Sequence, residues 1–337
     1  ELVEVGLGYG TAEGDRRLRE LVAGMHGVAV DDVVLTVGGM QTLFLVAFTL
    51  CARGDEVVTT SPLFPLARNA LESVGAAVRV LELSFDRGYR VDVDELARCL
   101  SPRTKLVCLA TPQNPSGVAI PADAIRRIAA LMGETCPEAY LLLDATYRDA
   151  AYGDDPVADS YIGLSSRIIS TASLSKCHGA PGLRLGWAIT RDPSLRDDLV
   201  VGKFNTVISC SPVDEFLSRK VLEQRDAILG ERRRRLAGAV AAVERWVGEN
   251  GRLIEWVRPD AGALCCVRLR PALFDDAAVA RFYQALSGEG VRVATGTWFG
   301  EAARVFRLGF GLLEPADLAA ALAGVSSALR AAAREAA

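Results

Sequence analysis

The most informative stretch of the chain is Ser173-Leu174-Ser175-Lys176-Cys177-His178-Gly179-Ala180-Pro181-Gly182-Leu183-Arg184-Leu185-Gly186. It places one amine, that of Lys176, in a small, polar, glycine-rich setting, with Arg184 eight positions further on. A lysine there can form an imine with an aldehyde, while Arg184 and the hydroxyls of Ser173 and Ser175 can hold a phosphate. A ligand that carries both groups is pyridoxal phosphate. The alternative is a solvated surface lysine that follows a strand.

Around this run, short β-branched segments alternate with helical patterns from Val33 to about Ile189. The predicted strands are nearly continuous apolar runs, as in Tyr140-Leu141-Leu142-Leu143-Asp144. Such alternation predicts a mostly parallel sheet that is covered by helices on both faces, which is an α/β fold. We expect residues 26–230 to form this large domain.

The remainder of the chain predicts a second unit. A long helical pattern covers residues 211–248 without a proline after Pro212, and strand-like segments follow at 263–269, 291–294 and 304–309. These patterns predict a smaller α+β domain from residues 231–337, joined by residues 1–25.

Composition narrows the class of protein. The chain has 337 residues, is 50% hydrophobic and carries a formal net charge of −4, so we expect neither a nucleic-acid partner nor an anionic membrane surface. No apolar run is long enough to span a membrane, and no signal peptide is evident. The eight cysteines form no CxxC pair and only two histidines are present, which predicts no metal site and buried, reduced thiols in a cytoplasmic protein.

Polar and glycine-rich segments follow the predicted strands, where an open α/β sheet binds its ligands. Gly39, Met40 and Gln41 open a helix directly after the first strand, so their backbone N–H groups can cradle a phosphate. Phe64 lies in a loop that is stiffened by a proline on either side. Its ring can stack on a flat heterocycle, or it can pack in the hydrophobic core.

Four further side chains complete this set of candidates. Asn114, held between prolines, can donate to a phenolate oxygen, and Tyr147 can supply a hydroxyl to the same atom. Asp144 ends a buried strand, where a carboxylate needs a cation such as a protonated pyridine nitrogen, unless it caps the next helix. Arg307 lies within an apolar strand and requires a carboxylate, a phosphate or a structural ion pair.

With these residues in place, the chain resembles the class I and II aminotransferases of pyridoxal phosphate fold type I. The resemblance runs over essentially the whole sequence from Tyr9 onward. Its most specific parts are Asn114-Pro115-Ser116-Gly117, Asp144-Ala145-Thr146-Tyr147, and the run from Ser173 to Gly186.

The resemblance implies the catalytic roles. Lys176 would hold the cofactor as an aldimine and later move the α-proton, through a quinonoid intermediate. Asp144 would keep the pyridine nitrogen protonated, Asn114 and Tyr147 would bond the phenolic oxygen, and Arg307 with Asn114 would bind the substrate carboxylate.

The resemblance also implies how the cofactor is held. Phe64 would stack on its ring, and the phosphate would be held by Gly39, Met40, Gln41, Ser173, Ser175 and Arg184. Tyr9 would reach the phosphate of a neighbouring subunit, which implies a homodimer with shared active sites.

The reaction itself stays open among related chemistries. The principal prediction is transamination of an amino acid with a 2-oxo acid. The alternative is an arginine or hydroxyarginine oxidase or hydroxylase that uses dioxygen, or a cyclase of the capreomycidine synthase kind. A non-catalytic binder is disfavoured because the chain lacks a DNA-binding extension. Met40, Cys265-Cys266 and the absence of the segment that precedes Tyr9 in relatives depart from the family pattern, and they leave the substrate side chain open.

Overall fold

The computed structural model describes residues 2–153 and 160–333, and its centre is a seven-stranded sheet. The strands are β1 Val33–Val37, β2 Glu56–Ser61, β3 Ala77–Glu82, β4 Thr104–Ala110, β5 Tyr140–Asp144, β6 Ile168–Ser173 and β7 Leu185–Thr190. They lie in the order β1-β7-β6-β5-β4-β2-β3. Only β7 runs antiparallel to its neighbours, and the other adjacent pairs are parallel. The predicted mostly parallel sheet is confirmed.

Helices cover both faces of this sheet. They are α1 Arg16–His26, α2 Gly38–Leu50, α3 Pro65–Ser73, α4 Val93–Cys99, α5 Ala122–Thr135, α6 Pro193–Val207 and α7 Pro212–Glu223. Helices α1, α4 and α5 contribute to one buried cluster, and α2, α3 and α6 contribute to another. Both faces of the central strands are therefore removed from water, which explains why those strands read as continuous apolar runs.

The C-terminal part of the chain builds a second, antiparallel sheet. Its strands are β8 Ile254–Val257, β9 Leu264–Leu269, β10 Ala294–Thr295 and β11 Val305–Gly309, in the order β10-β11-β9-β8. Helices α8 Arg225–Glu249, α9 Asp276–Gly288 and α10 Pro315–Ala332 pack with it around a separate core. This arrangement is the predicted smaller α+β unit.

Local sequence determines where several of these helices begin and end. Prolines occupy the first turn of α3, α6, α7 and α10, where the missing N–H has no intrahelical partner to lose. The side chain of Asp15 caps α1 by accepting from the N–H of Leu18, and Gly27 ends the helix in the left-handed conformation with φ 62°.

Two parts of the domain prediction need correction. The pattern over residues 211–248 is two helices, because Gln224, at φ −107°, interrupts the helical backbone between α7 and α8. Helix α1, which was predicted to join the smaller unit as part of residues 1–25, packs instead with the large sheet. Leu18 and Val22 of α1 lie in the core of the large sheet, since the apolar face of α1 packs against α7 and β1.

The burial of the cysteines and the character of the helices relate to two predictions, that the thiols are reduced and buried and that no segment spans a membrane. All eight cysteines are free, and all except the half-buried Cys99 are buried. None of the helices in the described ranges combines the length and the apolar character that crossing a bilayer requires.

Candidate active site

A cavity of about 340 Å³ lies where the large sheet meets the smaller unit. It contains all of the predicted site residues except Gln41 and Tyr9. Those that line it are Gly39, Met40, Phe64, Asn114, Asp144, Tyr147, Ser173, Ser175, Lys176, Arg184 and Arg307. Parallel strands end at one edge of the large sheet and bring together the residues that follow β1, β2, β4, β5 and β6, while β11 of the smaller unit adds Arg307.

The loop that carries Asn114 is locked against the smaller unit by Gly117. That glycine has φ 73°, and a Cβ there would lie 2.6 Å from Pro259 and 2.7 Å from the carbonyl of Leu264. Its own carbonyl accepts from the N–H groups of Asp260 (2.9 Å) and Ala261 (3.1 Å). Only glycine combines this backbone angle with so close an approach, so the loop is held in one position.

Arg307 and Asn114 meet across the cavity. Arg307 Nη1 donates to Asn114 Oδ1 at 2.9 Å, and the guanidinium lies 4.9 Å over the ring of Phe299. The Nε of Arg307 is buried without a hydrogen-bond partner. No carboxylate in the described ranges pairs with this guanidinium, and burial lowers its pKa. The structural ion pair is therefore excluded there, and the guanidinium is available to an anion in the cavity.

Asp144 ends β5 on the floor of the cavity. Its Oδ1 accepts from the N–H of Thr146 at 3.0 Å. Burial raises the pKa of this carboxyl, and no cationic side chain of residues 2–153 or 160–333 offsets that effect. No helix begins directly after it, so the capping alternative does not apply. A buried carboxylate of this kind fits a ligand that brings a positively charged donor.

Lys176 presents its amine to the same cavity. Partial burial lowers the pKa of the amine, and the nearby positive charge of Arg307 lowers it further. A lower pKa increases the fraction of free amine at neutral pH, and only the free amine reacts with an aldehyde or accepts a proton.

Tyr147 stands beside these groups. Burial raises the pKa of its hydroxyl, so Tyr147 stays protonated and can donate a hydrogen bond at neutral pH. This is the state that a hydrogen bond to a phenolate oxygen requires.

The start of α2 and the residues around it form a cradle. Gly38 has φ 73°, and a Cβ there would collide with Arg184 Nη2. A Cβ on Gly39 would lie 3.8 Å from the Cβ of Ser173, which places that hydroxyl at the helix start. Unpaired N–H groups, a guanidinium and hydroxyls are the groups that hold a phosphate.

We expect Gly38→Ala to weaken pyridoxal phosphate binding about tenfold or more, because the new methyl group displaces Arg184 from the cradle. Gly54→Ala is a matched control, since Gly54 has φ 87° and open space around it. Both variants carry the same backbone strain, so fluorescence titration with the cofactor separates the two effects. Equal loss of affinity in the two variants would contradict the role of the cradle.

Two predicted site residues lie outside the cavity. The Oε1 of Gln41 accepts from the N–H of Val37 at 2.6 Å, so this side chain closes the start of its own helix. Tyr9 is 84% exposed and lies in a separate groove beside α7. The role of Tyr9 toward a neighbouring subunit stays a prediction.

Sequence reasoning missed one cavity residue of large size, Trp298. It lies in a short turn, Gly296–Phe299, and contacts Phe64 edge to face with ring centres 5.9 Å apart. The available signal was the pair of aromatic residues flanked by glycines, just before the strand that carries Arg307. His178, two residues after Lys176, is buried and does not line the cavity; burial lowers its pKa to about 4.

The residues fit pyridoxal phosphate on three independent observations. Asp144 has no cationic partner among the described residues, Arg184 with the start of α2 offers an anion cradle, and Lys176 presents an amine to the same cavity. Lys176 would hold the aldehyde, Asp144 the ring nitrogen, and Phe64 would cover the ring face.

Comparison with known proteins agrees with the assignment of pyridoxal phosphate to this cavity. A family model described as aminotransferase class I and II matches residues 5–325. Capreomycidine synthase of Streptomyces vinaceus is 30% identical over 98% of this chain and 82% of its own length. Arginine–pyruvate transaminase of Pseudomonas aeruginosa is 29% identical over 90% of this chain and 78% of its own. A pyridoxal phosphate-dependent aminotransferase from Streptococcus suis has a TM-score of 0.90 at 26% identity, over 99% of this chain and 87% of that one.

These comparisons confirm the predicted fold and cofactor. The matched region includes the large sheet, the four strands of the smaller unit and every residue that lines the cavity. The chain is an enzyme that uses pyridoxal phosphate, and it belongs to the class I and II aminotransferase family.

Proposed function

We propose that this enzyme transfers the amino group of an amino acid to a 2-oxo acid, with the substrate carboxylate bound by Arg307 and Asn114. Arg307 carries the proposal, because its guanidinium faces the cavity with a buried Nε that has no partner. A carboxylate that accepts from this guanidinium would satisfy the unpaired donor and balance its charge.

The residues divide the chemistry among them. When bound, pyridoxal phosphate supplies a ring that accepts the electron pair left when the α-proton is removed. Lys176, with its lowered pKa, accepts that proton as general base. Asp144 holds a proton at the ring nitrogen, and Tyr147 with Asn114 donates to the phenolic oxygen. Arg307 orients the substrate so that its α-proton faces the amine.

We propose arginine as the amino donor. Two of the most similar relatives support arginine-related chemistry, one being an arginine–pyruvate transaminase and the other a capreomycidine synthase. The second of these also favours a second candidate reaction, in which the same site cyclises an arginine-derived substrate. The 30% identity over nearly the whole chain supports that candidate.

A panel of amino acids incubated with the holoenzyme distinguishes these reactions. Without a 2-oxo acid, transamination converts one equivalent of arginine per site to the corresponding 2-oxo acid and then stops. Cyclisation, which forms a C–N bond as a β-hydroxyl of hydroxyarginine leaves as water, continues without a co-substrate when the panel includes hydroxyarginine, and an oxidase consumes dioxygen. Continued turnover without a 2-oxo acid, or consumption of dioxygen during turnover, would contradict transamination.

We expect Arg307→Leu to raise KM for the amino acid about 10- to 100-fold, the cost of removing a hydrogen bond to a charged group. Arg292→Leu removes an exposed arginine of the smaller unit outside the cavity and serves as the control. Steady-state kinetics measures both. An unchanged KM in Arg307→Leu would show that the carboxylate binds elsewhere.

We further propose that the enzyme is a homodimer, paired through α2 and α6. These adjacent helices expose Phe44, Phe48, Val201 and Phe204, and the two phenylalanines of α2 stack at 5.9 Å. An apolar surface of this kind is typical of a subunit interface. Sedimentation velocity tests the proposal, and a monomer at micromolar concentration would contradict it.

A cytoplasmic location is the remaining part of the proposal. Eight free cysteines, seven of them buried, are typical of a reducing compartment and support it.

A further inference from the structure

We infer that Trp298 selects the side chain of the substrate, and that the side chain it accepts is a planar cation of the guanidinium class. This inference rests on the proposed function, since it assumes that the substrate carboxylate lies at Arg307. It assigns the opposite end of the substrate to a residue of the smaller unit.

Trp298 presents an open aromatic surface at the cavity. The residue lines the cavity and remains 49% exposed. Its neighbours Phe64 and Phe299 contact it edge to face, at interplanar angles of 70° and 81°, so neither is stacked parallel on the indole. Because about half of the side chain is exposed at the cavity, part of the indole surface is open to a flat group.

The position of Trp298 is fixed relative to the carboxylate anchor. Phe299 contacts both groups: its ring lies 4.9 Å below the guanidinium of Arg307 and 4.7 Å from the ring of Trp298. The carbonyl of Phe299 accepts from the N–H of Leu63 at 3.2 Å, which ties this turn to the loop that carries Phe64. The backbone of the turn that carries Trp298 is therefore held next to the residue that contacts Arg307.

The charges of the cavity indicate how a cationic side chain would be bound. Asp144 is the only carboxylate among the described residues that line it, and that carboxylate is assigned to the cofactor ring. A guanidinium there finds no second carboxylate among those lining residues, whereas the face of an indole attracts it through the ring quadrupole. A planar guanidinium also stacks over its full area, which a tetrahedral ammonium cannot do.

The experiment measures binding to the holoenzyme by the change in cofactor absorbance on titration. Arginine is compared with citrulline, which is nearly isosteric and planar but neutral. We expect Trp298→Leu to weaken arginine binding about tenfold and citrulline binding much less, with Trp298→Phe intermediate for arginine. Trp256→Leu, outside the cavity on β8, should leave both dissociation constants unchanged.

The outcomes separate this inference from the proposed function. If the wild-type enzyme binds arginine and Trp298→Leu leaves that affinity unchanged, or weakens arginine and citrulline equally, the role of Trp298 is wrong and the proposed donor stands. If the wild-type enzyme binds other amino acids and does not respond to arginine, the proposed donor is wrong and the guanidinium assignment fails with it.

Discussion

Replacement of Lys176 with alanine should abolish covalent attachment of pyridoxal phosphate and lower turnover by about 10²- to 10⁴-fold, the usual contribution of a positioned general base. The visible absorbance of the lysine-bound cofactor should disappear, although the cradle at Gly38 and Arg184 still retains the phosphate. Two losses are expected from one substitution because the same amine holds the aldehyde and accepts the α-proton. Absorbance spectra and single-turnover kinetics measure them separately.

Matched variants keep this prediction specific to the amine. Lys176→Arg retains a positive charge but offers no nucleophile near neutral pH, so it should lose the absorbance as fully as the alanine variant does. Lys105→Arg changes an exposed lysine of β4 and should retain both absorbance and turnover. A Lys176→Ala protein that keeps the lysine-bound spectrum would show that another amine holds the cofactor.

Replacement of Asp144 with asparagine should lower turnover by about 10²-fold or more, because the ring nitrogen loses the carboxylate that keeps it protonated. The substitution is nearly isosteric, so the cofactor should still bind, and the change falls on kcat rather than on KM. Asp123→Asn, on the exposed first turn of α5, is the control and should retain full activity.

The same substitution should stabilise the cofactor-free protein. Burial raises the pKa of Asp144 in the folded state, so the folded protein keeps a proton that the unfolded chain has already lost. The free energy of unfolding of the wild type therefore falls as pH rises above the ordinary value of 3.8, and it levels off above the folded pKa. Asp144→Asn lacks this loss and should gain about 1 kcal/mol at neutral pH. Parallel stability curves for the two proteins between pH 4 and 8 would contradict this account of Asp144.

The large sheet and the residues at its strand ends were predictable because their signals are local. Continuous apolar runs such as β5 identify buried parallel strands, and the residue that ends each strand is then placed at one edge. Asp144 was located because it ends a strand, and Asn114 and Lys176 because they lie in the loops that follow one. Their convergence on one cavity follows from the sheet, without knowledge of any side-chain contact.

The rest depended on contacts between distant parts of the chain. No sequence pattern indicates that Arg307 donates to Asn114, since 193 positions separate them. Trp298 was missed because its turn has neither strand nor helix periodicity. Gln41 was predicted to offer its backbone N–H to a phosphate, and no sequence signal indicates that its side chain also accepts from the N–H of Val37, a contact that only the geometry of the helix start reveals.

Lys176 as the single point of attachment is the central claim, and the sequence makes it testable in one measurement. The chain contains only four lysines, Lys105, Lys176, Lys203 and Lys220. The holoenzyme is reduced with borohydride, which makes the cofactor bond permanent, and is then digested for peptide mass mapping. We predict a pyridoxyl adduct on Lys176 and on none of the other three. An adduct on Lys105, Lys203 or Lys220, with Lys176 unmodified, would contradict the account.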